Sequence, residues 1–475
     1  MPDIRYVCLS DMHLGADNSV LTTVHLNNSV PTTDPMTVSP TLSLFVECLR
    51  ALISQNENPE KPTLVLNGDI LEMALTDTNK AAMVFERFIE LVLPANGEAL
   101  FDEKNIFYLP GNHDHHIWES AREMLYAQYI AGVPPGKELP APWHTTRMFQ
   151  PDAVPEIFLN TLLHRYPHLK DASIQVIYPN YALVNGQRCV IFSHGHYVEA
   201  IYSLMTTLNT MFFPGRTRPK FIWDLEAENF AWIDFFWSTM GRSGAVGTDV
   251  EVIYDKLQNE SQLRLMISNL ASGLSNKPGR AGWKNWLEAR LLRKVFSLVF
   301  FAVKNAERSQ TEDYLTNDAK KGLREYIEGP VLKQIKIERN QNVPPNVAFI
   351  FGHTHKPFQC QMRFEGYEPG ANVYNTGGWV IDSVDLHPLV GGAVVLVDEN
   401  LDLTSLHMYN EAADSSAYAV SVQTATTSND AKNPFHERIA GLVDSAKDPW
   451  RTFSEVTASE IPRRVANLKS KIAQW

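Results

Sequence analysis

Asn105 to Ser120 reads NIFYLPGNHDHHIWES: a short apolar run stops at Pro110 and Gly111 and gives way to one asparagine, one aspartate and three histidines. A buried strand that ends in a polar cluster is the simplest reading. Taken alone, the cluster stays open between a metal site, a catalytic site and a polar turn, because histidine serves all three. The same construction occurs four more times, in IRYVCLSDMH (Ile4 to His13), TLVLNGD (Thr63 to Asp69), RCVIFSHGH (Arg188 to His196) and VAFIFGHTH (Val347 to His355). Each is a run of strand-forming residues that closes on metal-ligating side chains. Five such strands predict a sheet protein whose strand ends share one site.

Between the early strands lie segments of helical period, Thr41 to Ser54 and Ala81 to Leu93. That alternation predicts a layered α/β domain. In open α/β sheets, sites form beyond the carboxyl ends of the strands, so the five clusters are expected to converge although they span most of the chain. Two later strand-like stretches, Asn372 to Val380 and Gly392 to Glu399, are expected to complete a second sheet.

Spacing supports the convergence. Asp11 and His13 are two apart, and residues two apart on an extended chain point to one side. His353 and His355 repeat that spacing after Gly352, which is expected to let the backbone turn sharply. Asp69 and Asn112 add oxygen donors and His194 a further nitrogen. A lone DxH or GNH is commonly a turn, but five in sequence, each behind an apolar strand, point to a metal centre.

Composition narrows the class. The 475 residues are 44% hydrophobic and 20% charged, as in ordinary globular proteins, and the net charge of -12 speaks against a broad nucleic-acid-binding surface. The four cysteines, Cys8, Cys48, Cys189 and Cys360, have no zinc or redox spacing. The first residues read as a strand and not as a leader, and the apolar run Val295 to Val303 is too short to cross a bilayer, so the expected location is the cytoplasm.

The strand signal stops near Tyr197 and returns near Asn346. Residues 197–345 are expected to be a helical insertion or cap between core segments 1–196 and 346–410, with 411–475 a polar linker and short helical tail. Gly15 to Thr41 is long and polar for a strand-to-helix connection and is expected to be a flexible rim of the site.

The ordered set DMH, GD, GNHD, SHGH and GHTH resembles the calcineurin-like metallophosphoesterase superfamily over about residues 4–196 and 346–408. The resemblance implies a mixed α/β fold, a two-sheet β-sandwich flanked by helices, here carrying the large helical insertion. It implies that Asp11, His13, Asp69 and His355 bind one metal ion and that Asp69, Asn112, His194 and His353 bind another, with Asp69 as the bridge. Two such ions hold an activated hydroxide for in-line attack on a phosphate ester. A mixed O and N ligand set without thiolate suits Mn, Fe or Zn and does not choose among them.

By the same resemblance His113 would protonate the leaving group, and Glu72 would orient His113; a helix-start role for Glu72 stays open. Asp114 and His196, with His115 and His116, have no ligand slot and are read as groups around the centre or on its rim. The other seven histidines, His25, His144, His164, His168, His387, His407 and His436, are read as structural.

SDMHLG, GDILE, GHTHKP and YNTGGWV look like the branch that includes the UDP-2,3-diacylglucosamine pyrophosphatases, which commonly carry Arg where this chain has His113. The expected substrate is therefore a phosphodiester, phosphomonoester or pyrophosphate of broader kind. A lipid-like group and peripheral membrane contact are suggested by Met211, Phe212, Phe213, Trp223, Trp232, Phe235, Phe236 and Trp237 crowded around Arg216, Arg218 and Lys220. A nuclease, with Pro214 to Lys220 as its basic segment, and a non-catalytic scaffold are the alternatives. Oligomeric state is not legible.

Overall fold

The computed structural model describes residues 1–27, 30–152, 154, 156–213, 215–234, 237–238, 313–412, 419–425 and 433–473. All five expected strands form: β1 (Ile4–Leu9), β4 (Thr63–Leu66), β5 (Ile106–Tyr108), β8 (Arg188–Ser193) and β9 (Asn346–Phe351). They divide between two sheets. With β6 (Ile174–Val176), β12 (Gly391–Asp398), β13 (Leu403–Asn410) and β14 (Ser421–Gln423), the first three build a seven-stranded sheet in the order β14-β13-β12-β1-β4-β5-β6. The last two, with β7 (Asn180–Asn185), β10 (Phe358–Phe364) and β11 (Tyr367–Asn375), build a five-stranded sheet in the order β10-β11-β9-β8-β7. The two late strands, expected in one sheet, therefore separate: β11 pairs in parallel with β9, whereas β12 pairs antiparallel with β1. Strand propensity marked both segments but carried no information on partners.

Period-two alternation turns these sheets into a sandwich. In β1 and β4, Val7, Leu9, Leu64 and Leu66 face outward to helices, while Cys8 and Val65 face the space between the sheets. In β8 and β9, Val190, Phe192, Ala348 and Ile350 meet them from the other side, and Ile191, Phe349 and Phe351 turn outward. Both faces of both sheets are thus buried, which explains why the strands read as continuous apolar runs.

Helices cover each outer face. Against the seven-stranded sheet lie α1 (Pro40–Ile53), α2 (Thr78–Val92), α3 (His116–Ala131) and α4 (Phe158–His164). In α1 the buried Leu42, Phe45, Val46, Leu49 and Leu52 follow the three-four spacing of one helical face, and Pro40 starts the helix where no backbone donor is lost. Against the five-stranded sheet lie α5 (Leu204–Phe212), α6 (Ile222–Asp234), α7 (Asn317–Tyr326) and α8 (Leu332–Glu338), with Ile222, Ile233, Leu323 and Ile335 buried. The longest helical patterns of the sequence, Glu251 to Leu274 and Gly282 to Arg308, lie outside the described residues, as do Phe235 and Phe236.

The expected helical tail forms, as α9 (Pro434–Leu442) and α10 (Trp450–Ala473), but it is packed and not peripheral: Phe435, Trp450, Phe453 and Ile461 join the core, and the stretch before it supplies the edge strand β14. The expected flexible rim is anchored instead. Val20 and Leu21 are fully buried, Ser19 Oγ donates to the carbonyl of Met12 at 2.8 Å, and the buried Arg464 of α10 donates to the carbonyls of Ser19 and Thr22 at 3.0 and 2.6 Å. The segment continues into a hairpin of β2 (Val24–Asn27) and β3 (Val30–Thr33). Its small polar residues serve local backbone bonds, which a composition reading takes for looseness.

Candidate metal centre

The site forms where the carboxyl ends of the two sheets meet. Asn67 Nδ2 donates to the carbonyl of Ser193 at 3.0 Å, Gly352 N to the carbonyl of His194 at 3.0 Å, and His353 N to the carboxylate of Asp11 at 2.9 Å. Asp11, His13, Asp69, Asn112, His194, His353 and His355 are all buried there. Their potential ligand atoms gather in overlapping groups: Asp11, His13 and His355; His13, Asp69 and His113; Asp69, His194 and His353, the atoms of each group within 4.8 Å of one another. Asn112 Oδ1 lies 3.1 Å from His194 Nε2.

The local route to this convergence differs from strand alternation. β1, β4 and β9 end before the site residues, and Asp11, His13, Asp69, His353 and His355 all take positive φ, between 44° and 69°. That region is uncommon for residues other than glycine and costs about 1–3 kcal/mol at each position, a strain that clusters at functional sites. Left-handed turns, not an extended chain, aim Asp11 and His13 together. Gly352 is also needed for a different reason: its φ is ordinary, but a Cβ there would run into Asp11 Oδ2 and Ser10 Oγ. Gly111 likewise leaves space for Asp69 Oδ1.

Carboxylates orient the imidazoles. His13 Nδ1 lies 2.8 Å from Glu72 Oε2, and His355 Nδ1 lies 2.8 Å from Asp382 Oδ2. Each ring then presents Nε2 to the interior, where neither Nε2 has a hydrogen-bond partner among the described residues. This is the carboxylate–histidine arrangement that fixes a metal-ligating tautomer, and an orphaned buried nitrogen beside carboxylates is what a bound cation satisfies. The residues present fit divalent metal ions.

Charge supports the same conclusion. Burial disfavours the ionised carboxyl of Asp11, but the charges of His194 and His355 outweigh it and hold the group at about 2. Asp69 is likewise held well below the carboxylate range by His194 and His113 against its burial. Burial lowers His13 more than its bond to Glu72 raises it, favouring the neutral imidazole that a metal requires. His194 goes the other way, since Asp69 and Asp11 overcome its burial and raise it to about 9.

A family model for calcineurin-like phosphoesterases matches residues 4–357. The chain belongs to this family. No curated protein matches it. For a calcineurin-like phosphoesterase, the clusters at the sheet junction are where divalent metals are expected, and the two sheets flanked by helices are the expected fold.

The remaining residues of this phosphoesterase fall into place around the centre. His113 sits at its edge, 6% exposed, with Nδ1 2.9 Å from Glu72 Oε1 and its backbone N donating to Asp69 Oδ1 at 2.8 Å. Glu72 therefore touches both His13 and His113, and its carboxyl is driven below the usual range by His113 and His13 despite full burial. Asp114, expected around the centre or on its rim, lies beneath it: its carboxylate accepts from the backbone N of Gly111 and Ile70 and from Tyr108 Oη, pinning the GNHD turn to the end of β4. His196 is buried too, its ring 4.5 Å from Tyr197 and 5.8 Å from His194.

Sequence reading missed four groups. Asp382 backs His355, Glu199 Oε1 lies 3.3 Å from His353 Nε2, and the hydroxyls of Ser10 and Thr376 bond each other, with Ser10 also donating to Asp11. Ser10 stands next to Asp11 in the chain, but serine is too common beside turns to signal this. The others reach the site only through tertiary contacts.

Proposed function

We propose that this protein is a metal-dependent phosphoester hydrolase that binds two divalent ions, Mn, Fe or Zn, through Asp11, His13, Asp69, Asn112, His194, His353 and His355. The observation that carries it is the pair of carboxylate-backed imidazoles, His13 on Glu72 and His355 on Asp382, turned onto buried aspartates at the sheet junction. When bound, the ions supply an activated water and neutralise phosphate charge. Asp69, shared by two of the clusters, is read as the bridging ligand. His113, held through Nδ1 by Glu72, is read as the group that passes a proton to the leaving oxygen.

The substrate reading is an ester with an apolar portion. A cavity of about 820 Å³ lies within the described part of the insertion, lined in part by Val198, Leu204, Leu225 and Pro330, with Arg218 and Lys333 also on its wall. Glu199 belongs to this cavity and also touches His353, so it adjoins the metal centre. Met211, Phe213 and Trp223 are exposed nearby in sequence, which supports contact with a lipid-like group or membrane surface, whereas Trp232 and Trp237 are turned inward. The nuclease reading is weakened because Arg218 pairs with Glu325 at 2.9 Å and Arg216 with Glu228 at 3.8 Å. Motif likeness to UDP-2,3-diacylglucosamine pyrophosphatases fits an amphipathic substrate, while His113 in place of Arg favours the broader class. The four free thiols suit a reducing compartment, and the cytoplasm is the location proposed. No helix among the described residues is long and apolar enough to cross a membrane.

The test is hydrolysis of bis-p-nitrophenyl phosphate, p-nitrophenyl phosphate and a pyrophosphate diester with added Mn²⁺, beside DNA digestion. Turnover of at least one ester, lost in Asp69→Asn together with bound metal, is expected. No turnover of any ester by the metal-loaded protein would leave the scaffold reading.

A further inference from the structure

His115 and His116 follow the metal centre directly in sequence, yet they point elsewhere. His116 opens α3, and Glu119 stands three residues on, so both lie on one face of its first turn. Asp234, at the end of α6, approaches that face. His116 Nδ1 is 3.1 Å from Glu119 Oε2 and 3.5 Å from Asp234 Oδ1, and the ligand atoms of the three residues lie within 4.8 Å of one another. His115 Nδ1 is 3.5 Å from the same Asp234 oxygen. His115 is fully buried between Tyr178 and Phe230, and neither of its ring nitrogens has a hydrogen-bond partner among the described residues.

We propose that His116, Glu119 and Asp234, completed by His115, form a further divalent-metal site, distinct from the centre at the sheet junction, that ties the insertion helix α6 to the core helix α3. Zinc bonds of about 2.0–2.1 Å in a tetrahedron place neighbouring ligand atoms about 3.3 Å apart; His116 Nδ1 stands 3.1 and 3.5 Å from Glu119 and Asp234, and His115, outside that three-residue group, meets it through Asp234 Oδ1 at 3.5 Å. Two imidazoles and two carboxylates suit Zn²⁺ over Mg²⁺ or Ca²⁺. His115 Nδ1, fully buried and outside hydrogen-bond geometry although Asp234 Oδ1 lies 3.5 Å away, is the ring nitrogen that an ion held on Asp234 would engage. Ser238 Oγ accepts from His116 N at 2.7 Å, a second tie between the same two parts of the chain.

The experiment uses the full chain, stripped with chelator, reloaded with excess Zn²⁺, desalted and counted by mass spectrometry of the metal. Wild type is expected to retain one equivalent more than Glu119→Gln and one more than Asp234→Asn, with both variants still hydrolysing the ester that wild type turns over. Reloading with Co²⁺ should show tetrahedral visible absorption that each variant loses in part. Glu119 is partly exposed, so its variant decides the matter if Asp234→Asn fails to fold. Equal metal content and equal Co²⁺ spectra in wild type and Glu119→Gln would overturn the site and leave an ion-pair cluster. Because the count is a difference between proteins with an unchanged sheet-junction centre, it reads independently of whether the ester assay succeeds.

Discussion

The proton-donor role proposed for His113 is one that substrate variation exposes. His113 belongs to one cluster with His13 and Asp69 and shares with His13 the Glu72 contact at Nδ1, so a substrate series is what separates a proton donor from a ligand. His113→Ala should keep the bound metal and slow alkyl esters by about 10²–10⁴-fold, while p-nitrophenyl esters, whose leaving oxygen scarcely needs a proton, slow much less. Equal losses on both, with metal released, would make it a ligand. Gly352→Ala should weaken Mn²⁺ binding by about 10–100-fold in a calorimetric titration, because the new Cβ pushes on the proposed ligand Asp11 and on Ser10, which donates to it. At this scale the sequence was legible for the residue types and their order. It was not legible for how they are aimed: the left-handed backbone at Asp11, His13, Asp69, His353 and His355 replaces the strand alternation that spacing suggested. Asp382 and Glu199 stayed hidden because nothing local marks a residue that acts across the fold.

Among the elements, α6 is held to the core by a buried acid. Tyr178 Oη and Tyr197 Oη donate to Glu226 Oε2 at 2.8 and 3.0 Å, and burial, only partly offset by these bonds, raises the Glu226 carboxyl to about 8. The folded state thus binds a proton that the unfolded chain, with an ordinary carboxyl, releases near pH 4–5. Its stabilising effect is complete below that pH and fades as pH rises through about 8, at up to about 1.4 kcal/mol per pH unit. Glu226→Gln should remove this slope, so that its melting temperature exceeds that of wild type at pH 9 by more than at pH 5; parallel melting curves from pH 5 to 9 would refute it. The core helices were readable because a buried face repeats every three to four residues, and the strands because burial on both faces makes them continuous apolar runs. Pairing was not, since β11 and β12 both read as strands and no local feature assigns them to different sheets.

For the whole molecule, the C-terminal helices α9 and α10, which lie beyond the family match, pack as part of the core. Arg464 reaches from α10 to the carbonyls of Ser19 and Thr22, Arg438 pairs with Asp3 at 2.6 Å, and Trp450, Phe453 and Ile461 are buried. Each such apolar side chain contributes about 1.5–3 kcal/mol, against a net stability of about 5–15 kcal/mol for a domain. A chain ending at residue 432 should therefore lose its near-ultraviolet circular dichroism and elute as an aggregate; a cooperative melt of that fragment would show that α9 and α10 are accessory. The polar composition of 411–432 concealed this, because it marks the stretch that precedes the helices and not the helices themselves.

The seven-stranded sheet seats β1 between β4 and β12, and the backbone of Asp3 bonds to Glu399, 396 positions away. On a ribosome the first strand emerges long before its neighbour exists, and Asp11 waits for His353, 342 positions later. Contacts so distant along the chain fold slowly and leave unpaired edges exposed meanwhile. A chain that stops before Gly391 lacks the antiparallel partner of β1, and its lasting fate is that of an open sheet edge, a substrate for the cell's proteases.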